Sequence, residues 1–342
     1  MSFLSAPPAQ VEQLSKLLDS PKRIAIVSHF NPDGDAMGSS LGLGRVLTYL
    51  GHTVQVVMPN TPPPNLHWMP GHSEVLTFDK KPTGTVAAIA SADILFCLDF
   101  NRSDRVGGLE EVLKAAPIKV MIDHHQEPDD FAQVMFSDIR ACATCQMVYD
   151  IVMALGHGGA IDRQAATCLY AGIVTDSGSF RYRSTTAHTM RVGAELIDRG
   201  VEVDTVQNAI MDGNSVDRLK LLGFTLNERM EVIPEMDTAL IWLSKEDLKR
   251  FNYQPGDTEG FVNYGLSVRG VRLAAFFVER NDVVKVSMRS KATLPVDRFL
   301  KEHFNGGGHA NAAGGQTNES LQAAVARFRD LLPAHIQAHP AQ

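Results

Sequence analysis

Three side chains with metal-binding chemistry fall within seven residues near the start of the chain. His29, Asp33 and Asp35 lie in the segment VSHFNPDGDAMGSSLGLG, after a short apolar run and before a helical pattern. Two carboxylates and an imidazole at the end of a buried strand cannot contribute to a core. They indicate either a polar turn that caps a helix or a metal site. The two interpretations differ in whether further ligands occur elsewhere in the chain.

Further candidate ligands follow other structured segments. Asp99 lies at the end of the apolar run ADILFCLDF, Asp123, His124 and His125 end the run IKVMIDHH, and Asp176 ends a helical pattern. Ligands bind outside the carboxyl ends of the strands in an open α/β sheet, so these residues are expected to converge. Each residue alone has an ordinary explanation as a turn former, a helix cap or a hydrogen-bonded histidine. All of them at one edge of one sheet favour a shared site.

The chemistry of this set indicates a pair of metal ions. Several carboxylates in one pocket repel one another unless cations neutralise them. Mixed imidazole and carboxylate ligation suits Mn²⁺, Zn²⁺ or Fe²⁺ better than Ca²⁺, which prefers oxygen alone. The set is large enough for two ions that share one carboxylate. Such ions lie about 3.5–4 Å apart in phosphatases and nucleases, where they activate a water molecule.

Alternating strand and helix patterns position these residues. Strands are predicted at 22–30, 53–59, 92–100 and 118–125, and helices at 35–50 (ending before Gly51), 145–156 and 163–176. This order predicts an α/β domain with a mostly parallel sheet and helices on both faces.

A second, smaller α/β domain is predicted after about residue 230. Strand patterns return at 238–244, 271–280 and 283–290, followed by a Gly-rich loop at 304–315 and a helix at 319–332. The predicted bounds are 1–203 for the first domain, 204–229 for a helical linker and 230–342 for the second domain. The active site is expected in the cleft between the two domains.

The bulk composition limits the class of partner. A chain of 342 residues exceeds one ordinary core, which also favours two domains. The net charge of −7 and the lack of a long Lys/Arg cluster argue against a protein that grips long nucleic acid. No apolar run approaches the roughly 20 residues of a membrane span, and the N-terminus lacks a signal-peptide pattern. A cytoplasmic location without a membrane partner is therefore expected.

Two other motifs receive structural interpretations. Cys142 and Cys145 form a C-x-x-C pair, but a second pair is missing and the surrounding helical pattern favours buried small side chains. Gly38, Gly42 and Gly44 lie inside a predicted helix rather than in a strand-to-helix turn. They therefore predict close packing of that helix on the sheet rather than a dinucleotide-binding loop.

Five segments, in order, resemble the motifs of a known superfamily. SHFNPDGDAMGS, CLDFNR, IDHH, GIVTDSGSFRY and FNGGGHANAAGG are similar to the motifs of DHH phosphoesterases with a DHH-associated C-terminal domain. The resemblance covers nearly the whole chain. Within the superfamily, the chain most resembles the short two-domain members called NrnA. These are oligoribonucleases that also act as phosphatases of pAp (3'-phosphoadenosine 5'-phosphate).

The resemblance implies a role for each candidate residue. The implied ligands are His29 and Asp33 for one manganese ion, Asp35, His124 and Asp176 for the other, and Asp99 as the bridge. A hydroxide between the two ions would attack phosphorus in line. Asp123 would lie behind the ligands, and His125 would contact the phosphate or protonate the leaving oxygen. Mg²⁺, Zn²⁺ or Fe²⁺ remain alternatives to Mn²⁺.

The second domain is expected to hold the rest of the substrate. Glycine amides can approach phosphate oxygens without an obstructing side chain, and an arginine can bind a terminal phosphate through two parallel hydrogen bonds. An aromatic ring in SFRYRSTTAH can stack a base, although Phe180 or Tyr182 can equally belong to the core. The predicted substrate contacts are Arg289, Gly306, Gly307, Gly308, His309, Phe180 and Arg181.

The sequence therefore predicts a manganese-dependent phosphoesterase that hydrolyses very short single-stranded RNA and converts pAp to AMP. Family II pyrophosphatases, RecJ-type exonucleases and membrane-type cyclic-dinucleotide phosphodiesterases fit less well, because their second or additional domains differ. Two alternatives stay open: a phosphodiesterase for linear or cyclic dinucleotides, and a regulatory module that binds metal and nucleotide without turnover. A second copy of the chain, in a homodimer, is a further candidate partner.

Overall fold

The computed structural model describes residues 6–212, 214–281 and 283–340. The chain forms two compact units, Met1–Gly213 and Asn214–Gln342, each of which contains a six-stranded sheet. The predicted fold class, two α/β domains with a mostly parallel first sheet, is confirmed. The residues predicted as a linker, 204–229, form two helices, Val203–Met211 in the first unit and Val216–Glu228 in the second.

The first unit alternates strands with helices. Its strands are β1 (Arg23–Val27), β2 (Thr53–Met58), β3 (Leu76–Thr77), β4 (Ile94–Leu98), β5 (Lys119–Asp123) and β6 (Val134–Ser137). Its helices are α1 (Pro8–Leu17), α2 (Gly34–Tyr49), α3 (Pro82–Ala90), α4 (Glu110–Ala115), α5 (Thr144–Ala154), α6 (Arg163–Asp176), α7 (Ala187–Asp198) and α8 (Val203–Met211).

The strand order of the first sheet creates a binding crevice. The strands follow the order β3-β2-β1-β4-β5-β6, and each neighbouring pair is parallel. The order reverses direction between β1 and β4, which makes that pair the topological switch point where α/β sheets bind ligands. β4 is wholly apolar and β5 has an apolar centre between Lys119 and Asp123. Both strands are buried along their whole length, as expected for a sheet covered on both faces.

The glycines of α2 pack mainly against another helix, which corrects part of the sequence prediction. A Cβ on Gly38 would lie 2.5 Å from the Cys168 carbonyl oxygen in α6, and one on Gly42 would lie 2.7 Å from Leu169. Gly44 alone of the three predicted glycines faces the sheet, through Val56. Periodicity identifies an apolar face but not the element that covers it, so the helix partner was not predictable. The close approach brings the start of α2 beside the end of α6.

The second unit has a mostly antiparallel sheet. Its elements are α9 (Val216–Glu228), β7 (Met230–Ile233), β8 (Thr238–Leu243), α10 (Lys245–Arg250), α11 (Phe261–Ser267), β9 (Leu273–Arg280), β10 (Val283–Ser290), α12 (Asp297–His303), β11 (Gly307–His309), β12 (Ala312–Thr317) and α13 (Leu321–Ala338). The order is β11-β12-β10-β9-β8-β7, in which β8 and β9 are parallel and the other pairs antiparallel.

The predicted Gly-rich loop at 304–315 is largely a β-hairpin, so that part of the prediction was wrong. β11 pairs with β12, with Gly307 opposite Gly314 and His309 opposite Ala312. A Cβ on Gly306 would lie 2.3 Å from the Gly314 carbonyl oxygen, so glycine here permits close backbone approach. A run of glycines in a strand is easily predicted as a loop, because it lacks the alternation of apolar and polar residues that indicates a strand.

Among the residues that the structure describes, no helix combines the length and the apolar character needed to cross a membrane.

Candidate metal centre

The predicted ligands come from the ends of five elements around the switch point of the first sheet. His29 follows β1, Asp99 follows β4 directly, and His124 follows the last residue of β5. Asp35 lies in the first turn of α2, and Asp176 is the last residue of α6. The close packing of α2 on α6 thus carries two carboxylates to the edge where the strand residues end.

One group of ligand-capable atoms surrounds His29. Its Nε2 lies 3.5 Å from Asp99 Oδ2 and 4.0 Å from Asp33 Oδ1. Its Nδ1 lies 3.0 Å from the Phe30 carbonyl oxygen, to which a protonated Nδ1 donates. That bond fixes the ring and leaves Nε2 as the atom that can bind a metal. Asp33 also caps α2, since its Oδ1 accepts hydrogen bonds from the amides of Asp35 and Ala36.

A second group surrounds His124. Its Nε2 lies 3.3 Å from Asp176 Oδ2, 3.6 Å from Asp99 Oδ1 and 3.8 Å from Asp35 Oδ2. Its Nδ1 lies 3.3 Å from the Ala141 carbonyl oxygen, so Nε2 is again the ring atom turned toward the carboxylates. Asp99 therefore presents Oδ2 to the first group and Oδ1 to the second. This is the geometry that a carboxylate shared by two ions requires.

His125 has a different environment from His124. Its Nδ1 lies 2.7 Å from Asp123 Oδ1, and its backbone amide donates to Asp123 Oδ2 at 3.0 Å. Asp123 is fully buried, so it holds the imidazole from behind. Any acid–base chemistry by His125 would then run through Nε2. The sequence alone did not distinguish the two adjacent histidines, whereas this geometry does.

Two residues that the sequence analysis did not select also contact the buried carboxylates. The amides of Thr144 and Cys145 donate to the two oxygens of Asp35, at 2.6 and 2.9 Å. The Thr144 hydroxyl donates to Asp99 Oδ1 at 2.9 Å. Both residues form the first turn of α5. The segment ACATCQMVYD shows only a helix start, so no sequence signal reveals where its amides point.

The electrostatics of the cluster show a need for positive charge. Burial raises the pKa of Asp35 well above its usual value, and the charges of Asp99 and Asp176 raise it further. Burial also raises the pKa of Asp176, to about 6. Burial lowers the pKa of His29, but the carboxylates of Asp99 and Asp33 outweigh it and raise that pKa to about 9. Protons thus supply charge that divalent cations would supply when bound.

The donor set fits divalent cations. Within the described residues, the ion-pair partners of Asp35, Asp99 and Asp176 are all histidines. Asp35 and Asp99 are at most 2% exposed, and buried carboxylates without a cation are costly. Carboxylate oxygens with one imidazole in each group suit Mn²⁺, Mg²⁺, Zn²⁺ or Fe²⁺. When bound, two such ions would neutralise the cluster and activate a water molecule.

Two of the predicted contacts in the second unit, Arg289 and His309, share one face of its sheet. Arg289 of β10 and His309 of β11 both lie opposite Ala312 of β12. Residues in register on neighbouring strands project to the same side, so an arginine and a histidine flank Ala312. Gly307 and Gly308 precede His309 in β11, and Gly306 lies just before that strand.

The two predicted contacts beyond Asp176 differ in exposure. The ring of Phe180 is half-buried and lies close to Gly193. Its centroid is 6.0 Å from the centroid of the Tyr170 ring. Arg181 is exposed. Phe180 has a positive φ of 63°, as does Ser179 at 59°, so the chain turns sharply at this point. A base-stacking role for Phe180 stays a prediction, and its packing on Tyr170 gives it a place in the core.

Comparisons with known proteins identify the family of the chain. The model of the DHH family N-terminal domain matches residues 23–173, and that of the DHHA1 domain matches residues 240–334. The bifunctional oligoribonuclease and PAP phosphatase NrnA of Thermus thermophilus is 30% identical over 308 residues, which cover 89% of this chain and 86% of that protein. The chain belongs to the DHH family. The NrnA of Bacillus subtilis is 28% identical over 85% of this chain and 88% of its own length.

Two solved structures share the architecture. A crystal structure of an exopolyphosphatase-related protein from Bacteroides fragilis is 35% identical, covers 99% of both chains and has a TM-score of 0.95. RecJ from Thermus thermophilus in complex with Mn²⁺ is 13% identical, covers 97% of this chain and 55% of that one, and has a TM-score of 0.56. The similarity to RecJ concerns the fold alone.

The predicted resemblance to the DHH superfamily and its NrnA members is confirmed. Membership of the DHH family and the relatives' names support a metal-dependent phosphoesterase.

Proposed function

We propose that the chain is a manganese-dependent phosphoesterase that hydrolyses very short RNA to mononucleotides and pAp to AMP, with a two-metal centre at the edge of its first sheet. The observation that supports this most is the position of Asp99. One of its oxygens lies near His29 Nε2 and the other near His124 Nε2, at 3.5 and 3.6 Å. The substrates are suggested by the names of the NrnA relatives.

The proposal gives the residues of the chain two roles, which are metal ligation and proton transfer. In the proposal, His29 and Asp33 hold one ion, Asp35, His124 and Asp176 hold the other, and Asp99 contacts both. Asp123 fixes the His125 ring through Nδ1. His125 Nε2 then contacts the phosphate or gives a proton to the leaving oxygen of the scissile bond. In the second unit, Arg289 and His309 are proposed to bind a phosphate group, with the glycine amides of β11 nearby.

A substrate panel tests the proposal. The full chain is incubated with a dinucleotide, a five-mer, a twenty-mer RNA, pAp and a cyclic dinucleotide, each with Mn²⁺, with Mg²⁺ and with a chelator. We expect Mn²⁺-dependent release of mononucleotide from the dinucleotide and five-mer, release of AMP from pAp, and much slower turnover of the twenty-mer. Equal rates on all three RNA lengths would contradict the preference for short RNA. Turnover of only the cyclic dinucleotide would favour the alternative substrate class.

Matched variants separate an enzyme from a binding module. Asp99→Asn preserves the size of the side chain but removes the shared charge, and we expect it to lower turnover by at least about 100-fold. Asp198→Asn removes the same charge from an exposed position at the end of α7 and is expected to leave turnover unchanged. Mn²⁺ binding without any product from the wild-type chain would indicate a regulatory module. A homodimer, a cytoplasmic location and an active site between the domains stay predictions.

A further inference from the structure

The first turn of α5 joins the two proposed metal groups. Thr144 contacts Asp35 through its backbone amide at 2.6 Å and Asp99 through its hydroxyl at 2.9 Å. The two carboxylates come from different elements, α2 and the end of β4. Thr144 is completely buried, so water cannot substitute for its hydrogen bonds. No other element donates a side-chain hydroxyl to these carboxylates among the described residues.

We infer that Thr144 is a positioning residue, whose hydroxyl fixes the carboxylate of Asp99 so that one oxygen faces each metal group. This inference rests on the proposed function of the same centre. Asp99 follows β4 with a φ of 65°, a left-handed conformation that is unfavourable for a residue with a side chain. A strained backbone of this kind persists only where contacts hold it. The hydroxyl of Thr144 is a contact that also selects the rotation of the carboxylate.

The position of Thr144 is itself set by polar contacts further along α5. Gln146 accepts a hydrogen bond from the Thr189 hydroxyl of α7 at 2.7 Å. The buried carboxylate of Asp150 lies 2.8 Å from His188 Nε2, also in α7. These two hydrogen-bonded pairs fix the position of α5 along the axis of α7. The backbone amides and the Thr144 hydroxyl at the start of α5 are therefore held in a fixed position beside Asp35 and Asp99.

The experiment compares hydroxyl removal with hydroxyl retention. Thr144→Val preserves the shape and the backbone amide but lacks the hydroxyl, whereas Thr144→Ser retains it. Thr85→Val is the matched control, because Thr85 is also completely buried in the first unit but donates only to the carbonyl of Lys81, the residue just before its own helix. Mn²⁺ binding to the full chain is measured by calorimetric titration with the metal alone, and dinucleotide hydrolysis by steady-state kinetics.

We expect Thr144→Val to weaken Mn²⁺ binding by about 10–100-fold, as loss of a contact behind a metal ligand commonly does. The kcat for the dinucleotide should fall with it, while KM changes little, since Thr144 is completely buried. Thr144→Ser and Thr85→Val should both bind Mn²⁺ like the wild type. A purely structural role would instead lower the stability of both valine variants and leave the Mn²⁺ affinity of their folded forms unchanged.

The outcomes separate this inference from the proposed function. Equal Mn²⁺ affinity and kcat in Thr144→Val and the wild type would overturn the positioning role while leaving the phosphoesterase intact. A wild type that binds Mn²⁺ but hydrolyses none of the substrates would overturn the proposed function, and the binding titration would still test Thr144. If Thr144→Val does not fold, Thr144→Ala against Thr144→Ser makes the same comparison. Equal Mn²⁺ affinity in that pair would again overturn the inference.

Discussion

Replacing Gly38 by alanine tests whether the close approach of α2 and α6 builds the metal centre. The added Cβ would lie 2.5 Å from the Cys168 carbonyl oxygen and 3.0 Å from Cys145 Sγ, whereas ordinary contacts begin at 3.4 Å. The obstructing oxygen belongs to the backbone of α6, so it cannot rotate away. The two helices must therefore separate by roughly 1 Å, the scale at which misplacement already impairs a reactive site.

The free energy change follows from two opposing effects. Overpacking in a close-packed interior costs about 1–3 kcal/mol, while alanine is preferred over glycine within a helix by about 1 kcal/mol. Because the clash is with backbone, we expect overpacking near the top of its range and a net loss of about 1–2 kcal/mol. Gly84→Ala is the matched control, since Gly84 is exposed in α3 with no atom within 4 Å of its added Cβ. That substitution should stabilise the first unit by about 0.5 kcal/mol.

The chain offers a separate fluorescent probe for each unit. It has two tryptophans, Trp68 in the first unit and Trp242 in β8 of the second. In a Trp242→Phe background, urea unfolding followed by Trp68 fluorescence reports on the first unit, and Mn²⁺ titration of the folded protein reports on the centre. We expect Gly38→Ala to lose both stability and Mn²⁺ affinity. A Gly38→Ala protein as stable as Gly84→Ala, with unchanged Mn²⁺ affinity, would refute the reasoning.

Three further predictions concern the proton donor, the phosphate site and acid stability. Asp123→Asn should lower kcat on a dinucleotide by about 100-fold without changing Mn²⁺ affinity, because it releases the His125 ring but no proposed ligand; a fall in affinity of the same size would contradict that role. Arg289→Lys should raise KM by about 10-fold at constant kcat, because a lysine cannot form two parallel bonds to a phosphate; an unchanged KM would remove Arg289 from the site. Burial acts to raise the pKa of Asp247, but its hydrogen bonds with Arg229 and Ser244 lower that pKa below the usual 3.8. Asp247 therefore stabilises the second unit above about pH 4 and loses this effect as the pH falls through its folded pKa. Asp247→Asn should cost about 1–3 kcal/mol at pH 7, and the difference from wild type should shrink toward pH 3, measured by Trp242 fluorescence in a Trp68→Phe background; a difference that is constant with pH would contradict this.

The strand-end residues were predictable because one rule of sheet geometry covers them. His29, Asp99 and His124 each follow an apolar run that has the length and composition of a buried strand. Parallel strands place such residues at one edge, whatever the details of the turns. The alternation of strands with helices predicted the α/β class of the first unit for the same reason, and three strand patterns followed by a helix predicted that of the second. These features depend on local pattern and a general topological rule, so a single sequence carries them.

The contacts that refine the site were not predictable in this way. Thr144 lies 45 residues from Asp99 along the chain, and its hydrogen bond depends on where the start of α5 lies in three dimensions. The helix partner of Gly38 and the hairpin at Gly307 likewise depend on which backbone lies within a few ångströms. Periodicity indicates that a face is buried or that a chain can turn. It does not indicate which element packs against that face.

The occupancy of the centre by two ions tests the central claim most directly. Crystals of the full chain grown with Mn²⁺, with diffraction recorded at the manganese absorption edge, locate each ion independently of the protein atoms. Our account expects two anomalous peaks about 3.5–4 Å apart, with Asp99 between them, His29 at one peak and His124 at the other. A single peak, or two peaks that Asp99 does not join, would contradict it.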